Sequence, residues 1–184
     1  TWASFACSIM LTAQVMQSGT ISYAMGGWAP PYGIEIRIDV LNAYILLIVS
    51  GIGSIVTPYA RSSMLLEYIE ERAYLFYSAY LLCLCGLMGV AATGDAFNLF
   101  VFLEISSLSS YVLIALGTDR RALTSAYQYL VMGTIGATFI VIAIGLLYQA
   151  TGSLNMVDIS KRLPEAGYDN TTVIAAFAFL VVGA

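Results

Sequence analysis

The stretch Gly94-Asp95-Ala96-Phe97-Asn98-Leu99-Phe100-Val101-Phe102-Leu103-Glu104-Ile105-Ser106-Ser107-Leu108-Ser109-Ser110-Tyr111 has Glu104 as its only charge after Asp95, and no further charge follows until Asp119. A helix starting near Asp95 rises about 1.5 Å per residue, which puts Glu104 roughly 13 to 14 Å along it. That depth is close to the middle of a hydrocarbon core about 30 Å thick. An ionised carboxylate there is costly unless it is protonated, paired or hydrated. Such a stretch is expected to be a membrane-spanning helix, and something must keep its glutamate there.

The whole chain has the composition that such a helix needs. Of its 184 residues, 60% are hydrophobic and only 10% are charged, against about a quarter charged in a soluble domain. The net charge of −4 is small and scattered, and gives no support to a nucleic-acid partner. Histidine is absent, which removes the commonest metal ligand and the ordinary neutral-pH base. Cys7, Cys83 and Cys85 all lie in apolar runs, and two positions two apart point to different faces of a helix. They read as buried free thiols, with neither a disulfide nor a metal expected. No phosphate loop, dinucleotide fingerprint, zinc spacing or nucleophile–base pair is present, so no cofactor is expected.

Working outward from Glu104, six apolar segments are expected, at about 1–16, 40–59, 73–92, 96–116, 122–150 and 171–184. The expected fold is all-α: a polytopic transmembrane helix bundle, here a single transmembrane domain that is part of a longer protein. Segment 1–16 lacks a basic leader and reads as a span, not as a signal peptide. Between residues 17 and 39, Pro30, Pro31 and four glycines point to an ordered extramembrane loop or short hairpin. Its tryptophan and tyrosines suit the headgroup zone. Pro58 falls near the end of the second segment, and residues 60–72 follow with Arg61, Glu67, Glu70, Glu71 and Arg72 among Met64, Leu65, Tyr68 and Ile69. That mixture predicts a short amphipathic interfacial helix. Residues 151–170 read as a polar connection. Arg61, Arg72, Arg120 and Arg121 fall on one side of the membrane and Arg37, Lys161 and Arg162 on the other, which leans towards the first set being cytoplasmic.

On a helix, Glu104, Ser107 and Tyr111 share a face, with Phe97 and Phe100 close to it. A carboxylate with hydroxyls above it reads as one station of a hydrogen-bonded proton path. Burial favours its neutral form and a nearby cation its charged form, so a group held between the two can take up and release a proton. The plainer alternative is a glutamic acid that ties helices together. Gln128, Thr134 and Thr138 are further candidate relays in the fifth segment, where Gly133 and Ala137 predict close helix packing. Asp95 and Asp39 are candidates for proton access at the interface or for helix capping.

Taken together, Thr93-Gly-Asp-Ala-Phe-Asn-Leu-Phe-Val-Phe-Leu-Glu104, Gly26-Gly-Trp-Ala-Pro-Pro-Tyr-Gly-Ile34 leading to Asp39, and Gly145-Leu-Leu-Tyr-Gln-Ala-Thr-Gly-Ser-Leu-Asn-Met-Val-Asp158 resemble the antiporter-like family of proton-conducting membrane subunits. That family includes the large membrane subunits of respiratory complex I, of membrane-bound hydrogenases and of Mrp-type multisubunit Na+/H+ antiporters. The second and third stretches are most similar to the Mrp component called D. The resemblance implies a fold of about fourteen helices in inverted repeats, with this chain running from the second helix to the start of the seventh. It implies that Glu104 is the family's fifth-helix glutamate, paired with a lysine of a broken seventh helix beyond Ala184. Where the family often has Lys-Tyr, this chain has Gln128-Tyr129.

The function so implied is proton translocation in a multisubunit complex of the cell (inner) membrane, exchanging a monovalent cation (Na+) for H+. The subunit would have no catalytic site of its own, and its partners would be other membrane subunits, the lipid bilayer, protons and Na+. The alternatives are a proton-pumping subunit of a complex I-like or hydrogenase oxidoreductase, and a non-conducting structural subunit, which Gln128 favours.

Overall fold

The computed structural model describes residues 1–67, 73–167 and 169–183, with no side chains for residues 61–67. The described residues form helices α1 (Trp2–Ser18), α2 (Val40–Glu67), α3 (Ala73–Ala92), α4 (Ala96–Ala115), α5 (Arg120–Thr151), α6 (Met156–Ala166) and α7 (Thr171–Gly183). Strands β1 (Ile21–Ala24) and β2 (Glu35–Ile38) pair as a hairpin. The six apolar segments are thus helices α1 to α5 and α7. Among the described residues, four stretches are long and apolar enough to cross a membrane: Val40–Ala60 within α2, then α3, α4 and α5 in full.

Three readings need correction. The apolar stretch Val40–Ala60 agrees with the expected segment 40–59, but its helix does not stop near Pro58 and continues to Glu67, because an internal proline removes one backbone bond and bends a helix without always ending it. Residues 151–170 are not simply a polar connection, since they contain α6. Asn155 starts it, its side-chain oxygen accepting from the amides of Val157 and Asp158 at 3.0 and 3.1 Å. The three cysteines are free, but Cys7 and Cys85 are exposed; the apolar surroundings of a spanning helix need not be protein. Of the amphipathic helix expected at 60–72, residues 60–67 form the end of α2, while residues 68–72 and the side chains of 61–67 lie outside the described residues.

The chain divides into two compact units. The first comprises Thr1–Ile21, Ile38–Ala92 and Phe102–Leu130. Here α1 meets α2 through small hydroxyl residues. Ser8, Ser50 and Ser54 are almost wholly buried, and each donates to the carbonyl one turn back, at 2.9, 2.7 and 2.8 Å. A buried hydroxyl satisfied by its own helix costs little and leaves a surface flat enough for close approach. Tyr80 of α3 donates to the Gly53 carbonyl of α2 at 2.8 Å. Glycines open α3 to α4: a Cβ on Gly86 would stand 2.7 Å from the Ser106 nitrogen, and one on Gly89 would overlap the Phe102 ring.

The second unit comprises Ser22–Arg37, Thr93–Val101 and Val131–Ala184. In it α5 and α7 touch at backbone distance, a Cβ on Gly136 falling 2.9 Å from the Gly183 carbonyl oxygen. Phe139 and Phe179 stack alongside with centroids 5.6 Å apart.

Candidate proton site and its extramembrane junction

In the first unit, contacts with α3 fix the rotation of α4. Phe102 and Ser106 meet Gly86 and Gly89, and Ser110 lies 3.4 Å from the Cys83 sulfur. These three α4 residues are spaced by four and form one stripe. Glu104 is two residues from Phe102 and from Ser106, about 200° round the helix at 3.6 residues per turn. It therefore faces away from α3, on the side of Ser107 and Tyr111, and is half-buried. Tyr111 is buried and meets Tyr129 of α5 edge-on, with ring centroids 5.7 Å apart. Tyr129 is a member of this face that sequence reasoning missed. Gln128, its neighbour, is exposed.

The α4 serines divide by role. Ser106, Ser109 and Ser110 donate to the carbonyls of Leu103, Ile105 and Ser106, at 2.8, 2.6 and 2.8 Å. Ser107 is half-buried on the Glu104 face. Thr134 and Thr138 belong to the second unit. Both are exposed, and they donate to the carbonyls of Val131 and Thr134 at 3.0 and 2.7 Å.

Asp39 and Asp95 sit at helix starts. Asp39 Oδ1 accepts from the Asn42 amide and Asp95 Oδ1 from the Asn98 amide, each at 2.9 Å. These bonds satisfy amides that the first turn leaves free. Asp95 is buried, and its segment takes part in a junction that the sequence reading did not anticipate.

That junction lies within the second unit and joins three stretches far apart in sequence. Thr93 bridges Ile36 on one side, and Asp95 bridges Asn155 on the other. The Gly94 amide donates to the Glu35 carbonyl at 2.8 Å. The Met156 amide donates to the Gly94 carbonyl and the Ala96 amide to the Leu154 carbonyl, both at 2.9 Å. Gly94 suits this fit, because a Cβ there would lie 3.1 Å from Arg37 Cβ and 3.3 Å from the Glu35 carbonyl oxygen, close enough that these neighbours would have to shift.

The carboxylate of Glu35 closes the arrangement. Glu35 is only 5% exposed; its Oε1 accepts from the Ser22 hydroxyl and its Oε2 from Asn155 Nδ2, each at 2.5 Å. Burial raises its pKa, but the bonds from Ser22 and Asn155 and the charge of Arg37 outweigh that and hold it below 4.5. Nearby, Arg162 Nε lies 3.0 Å from Asp158 Oδ2 and Nη1 donates to the Thr151 carbonyl at the end of α5. The Asp158 carboxyl is held below 3.8, chiefly by the Ser153 hydroxyl and, against the cost of burial, by Arg162 and Lys161.

Residues 93–184, half of the chain, match the family model described as NADH:quinone oxidoreductase/Mrp antiporter, TM. The chain belongs to this family. The N subunit of the NADH-quinone oxidoreductase of Desulforudis audaxviator is 41% identical over 96% of the chain and 34% of its own length. The D component of the Na(+)/H(+) antiporter of Bacillus subtilis is 35% identical over 95% of the chain and 35% of its own length. Among solved structures, a chain of the membrane-bound sulfane sulfur reductase, an archaeal respiratory membrane complex, superposes with a TM-score of 0.88 at 32% identity, over 99% of this chain and 36% of that one. The chain thus spans about a third of the length of the curated relatives it matches. It is a multi-pass membrane segment of an antiporter-like subunit.

Proposed function

We propose that the chain forms part of a proton-translocating subunit in a multisubunit complex of the cell membrane, exchanging Na+ for H+ with Glu104 as the mid-membrane protonatable station. One observation carries this reading. Glu104 is the only Asp, Glu, Lys or Arg inside the four membrane-length stretches, apart from Arg120 and Arg121 at the first turn of α5. An acid at that depth is retained at a cost, and a proton relay is one of the functions for which such acids are kept. The Glu104 carboxylate takes a proton from one side, becomes neutral, and gives the proton up when a cation approaches. Ser107 and Tyr111 share its face and serve as relays, with Tyr111 held by Tyr129. Thr134 and Thr138 are lesser candidates, because their hydroxyl protons already point to helix carbonyls. Asp95 and Asp39 cap helices at the interface and remain candidates for proton access. The test is Glu104→Gln in the full-length subunit within its complex, assayed for cation-driven proton movement in vesicles. Loss of exchange is the expected result, and full exchange would sink the proposal.

The second reading is a proton-pumping subunit of an oxidoreductase complex, favoured by the relative named as the N subunit of an NADH-quinone oxidoreductase. The proteins that co-purify decide between the two: redox subunits with iron–sulfur centres support the second, and their absence the first.

A further inference from the structure

We propose that Glu35 is a positioning residue, whose carboxylate, shared between Ser22 and Asn155, holds the Thr93–Asp95 segment and thereby the first turn of α4, the helix that carries Glu104. This rests on the reading of Glu104 as the proton station.

Each polar group at the junction needs a partner. The Asn155 side-chain oxygen is already committed to the Val157 and Asp158 amides. Its Nδ2 points the other way and needs an acceptor, which Glu35 Oε2 supplies. Asn155 is 3% exposed, so water is a poor substitute. The same residue pairs through its backbone with Asp95, whose carboxylate caps α4 at the Asn98 amide. Thr93 adds a second tie, accepting from Asn98 Nδ2 at 3.0 Å. A single carboxylate thus fixes the residue that starts α6 and flanks the residue that starts α4. Backbone bonds from Gly94 to Glu35 and from Met156 to Gly94 give the register, and the side chain of Glu35 locks it. Hydrogen bonds to a charged acceptor are the strong ones, and a buried donor stripped of its acceptor bears the full cost of desolvation.

The test uses the full-length subunit in its assembled complex, with two readouts: the kinetics of cation-driven proton movement in vesicles, and amide hydrogen exchange of the peptides covering residues 94–98 and 156–158. Glu35→Leu is expected to speed exchange of those amides by at least about tenfold, the scale of losing a bond to a charged group. It should lower the maximal transport rate by a similar factor while leaving the half-saturating cation concentration within about twofold, since no group that meets the cation has changed. Glu35→Gln should show the same changes to a lesser degree, and guards against failed assembly of the leucine variant. Asn155→Asp alone sets one carboxylate against another and should be as damaging as Glu35→Leu. The pair Glu35→Gln with Asn155→Asp reverses donor and acceptor, keeps the α6 cap, and should restore the rate to within about threefold of wild type.

Unchanged amide protection in Glu35→Leu would overturn the proposal. So would loosened amides with an unchanged transport rate, or a double variant no better than its single parents. Glu104→Gln, run in parallel, separates the two readings. If it retains exchange, the proton-station assignment fails, whereas the amide protection at residues 94–98 still reports on Glu35 alone.

Discussion

Replacing Gly86 by alanine adds one methyl group at the contact between α3 and α4, and the structure gives the size of the penalty. The new Cβ would stand 2.7 Å from the Ser106 nitrogen, 2.8 Å from Ser106 Cβ and 2.9 Å from the Phe102 carbonyl oxygen. Two of these three atoms are α4 backbone, so no rotamer change relieves the overlap. The helices must part by roughly 0.5 to 1 Å, and a gap of that width forfeits a quarter to a half of each contact's dispersion energy. Overpacking of this kind costs about 1 to 3 kcal/mol. Because the overlap is with backbone, the upper half of that range is expected. The assay is thermal unfolding of the purified complex, followed by a probe on this subunit. Gly145→Ala is the internal control, as nothing lies within 4 Å of a Cβ there; on the helix α5 the change should stabilise by about 0.5 to 1 kcal/mol. If Gly86→Ala melts with the wild type, or no lower than Gly145→Ala, the described α3–α4 approach is wrong.

Two further outcomes are expected. Asp39→Ala removes the side-chain acceptor of the Asn42 amide and should cost about 1 kcal/mol in the same unfolding assay, with Asp39→Asn or Asp39→Ser recovering most of it. Glu35 makes stability depend on acid. Its folded pKa lies below the 4.5 of the free side chain, so its contribution is fully present above that value and is lost as the pH falls through the folded pKa. Wild type should therefore lose its advantage over Glu35→Gln as the pH is lowered from neutrality to below 4.5, whereas a gap that widens with acid would contradict the assignment.

The apolar helices were legible because spanning a bilayer requires long uncharged runs, and such runs are hard to mistake. Glu104 was legible for the same reason: one charge in a long apolar run is conspicuous. The pairing of Tyr129 with Tyr111 was not, because only the rotation of α4 against Gly86 and Gly89 shows which ring meets Tyr111. The helix α6 was missed since its polar face dilutes the hydropathy of residues 151–170. The signal was present in Asn155 followed three residues later by Asp158, an acceptor at the cap and an acid in the first turn. Glu35 could not have been singled out. It lies in a polar hairpin, and its burial comes from Asn155, 120 residues further along the chain. For the hydroxyls of Thr134 and Thr138, the spacing that suits a relay is equally the spacing of bonds to the helix's own carbonyls, which both make.

The meeting of residues 35, 94 and 155 also constrains how the chain is threaded through the bilayer. Three points tied by hydrogen bonds must lie on one face of the membrane. Two spanning helices, α2 and α3, separate the first point from the second, and two more, α4 and α5, separate the second from the third. Each interval therefore contains an even number of crossings. A nascent chain that left one hairpin uninserted would preserve that parity and could still close the junction. One that inserted a single helix of a pair would strand its ends about 30 Å apart. Closure of the junction is thus a parity check on insertion, and it cannot be completed until residue 156 has emerged.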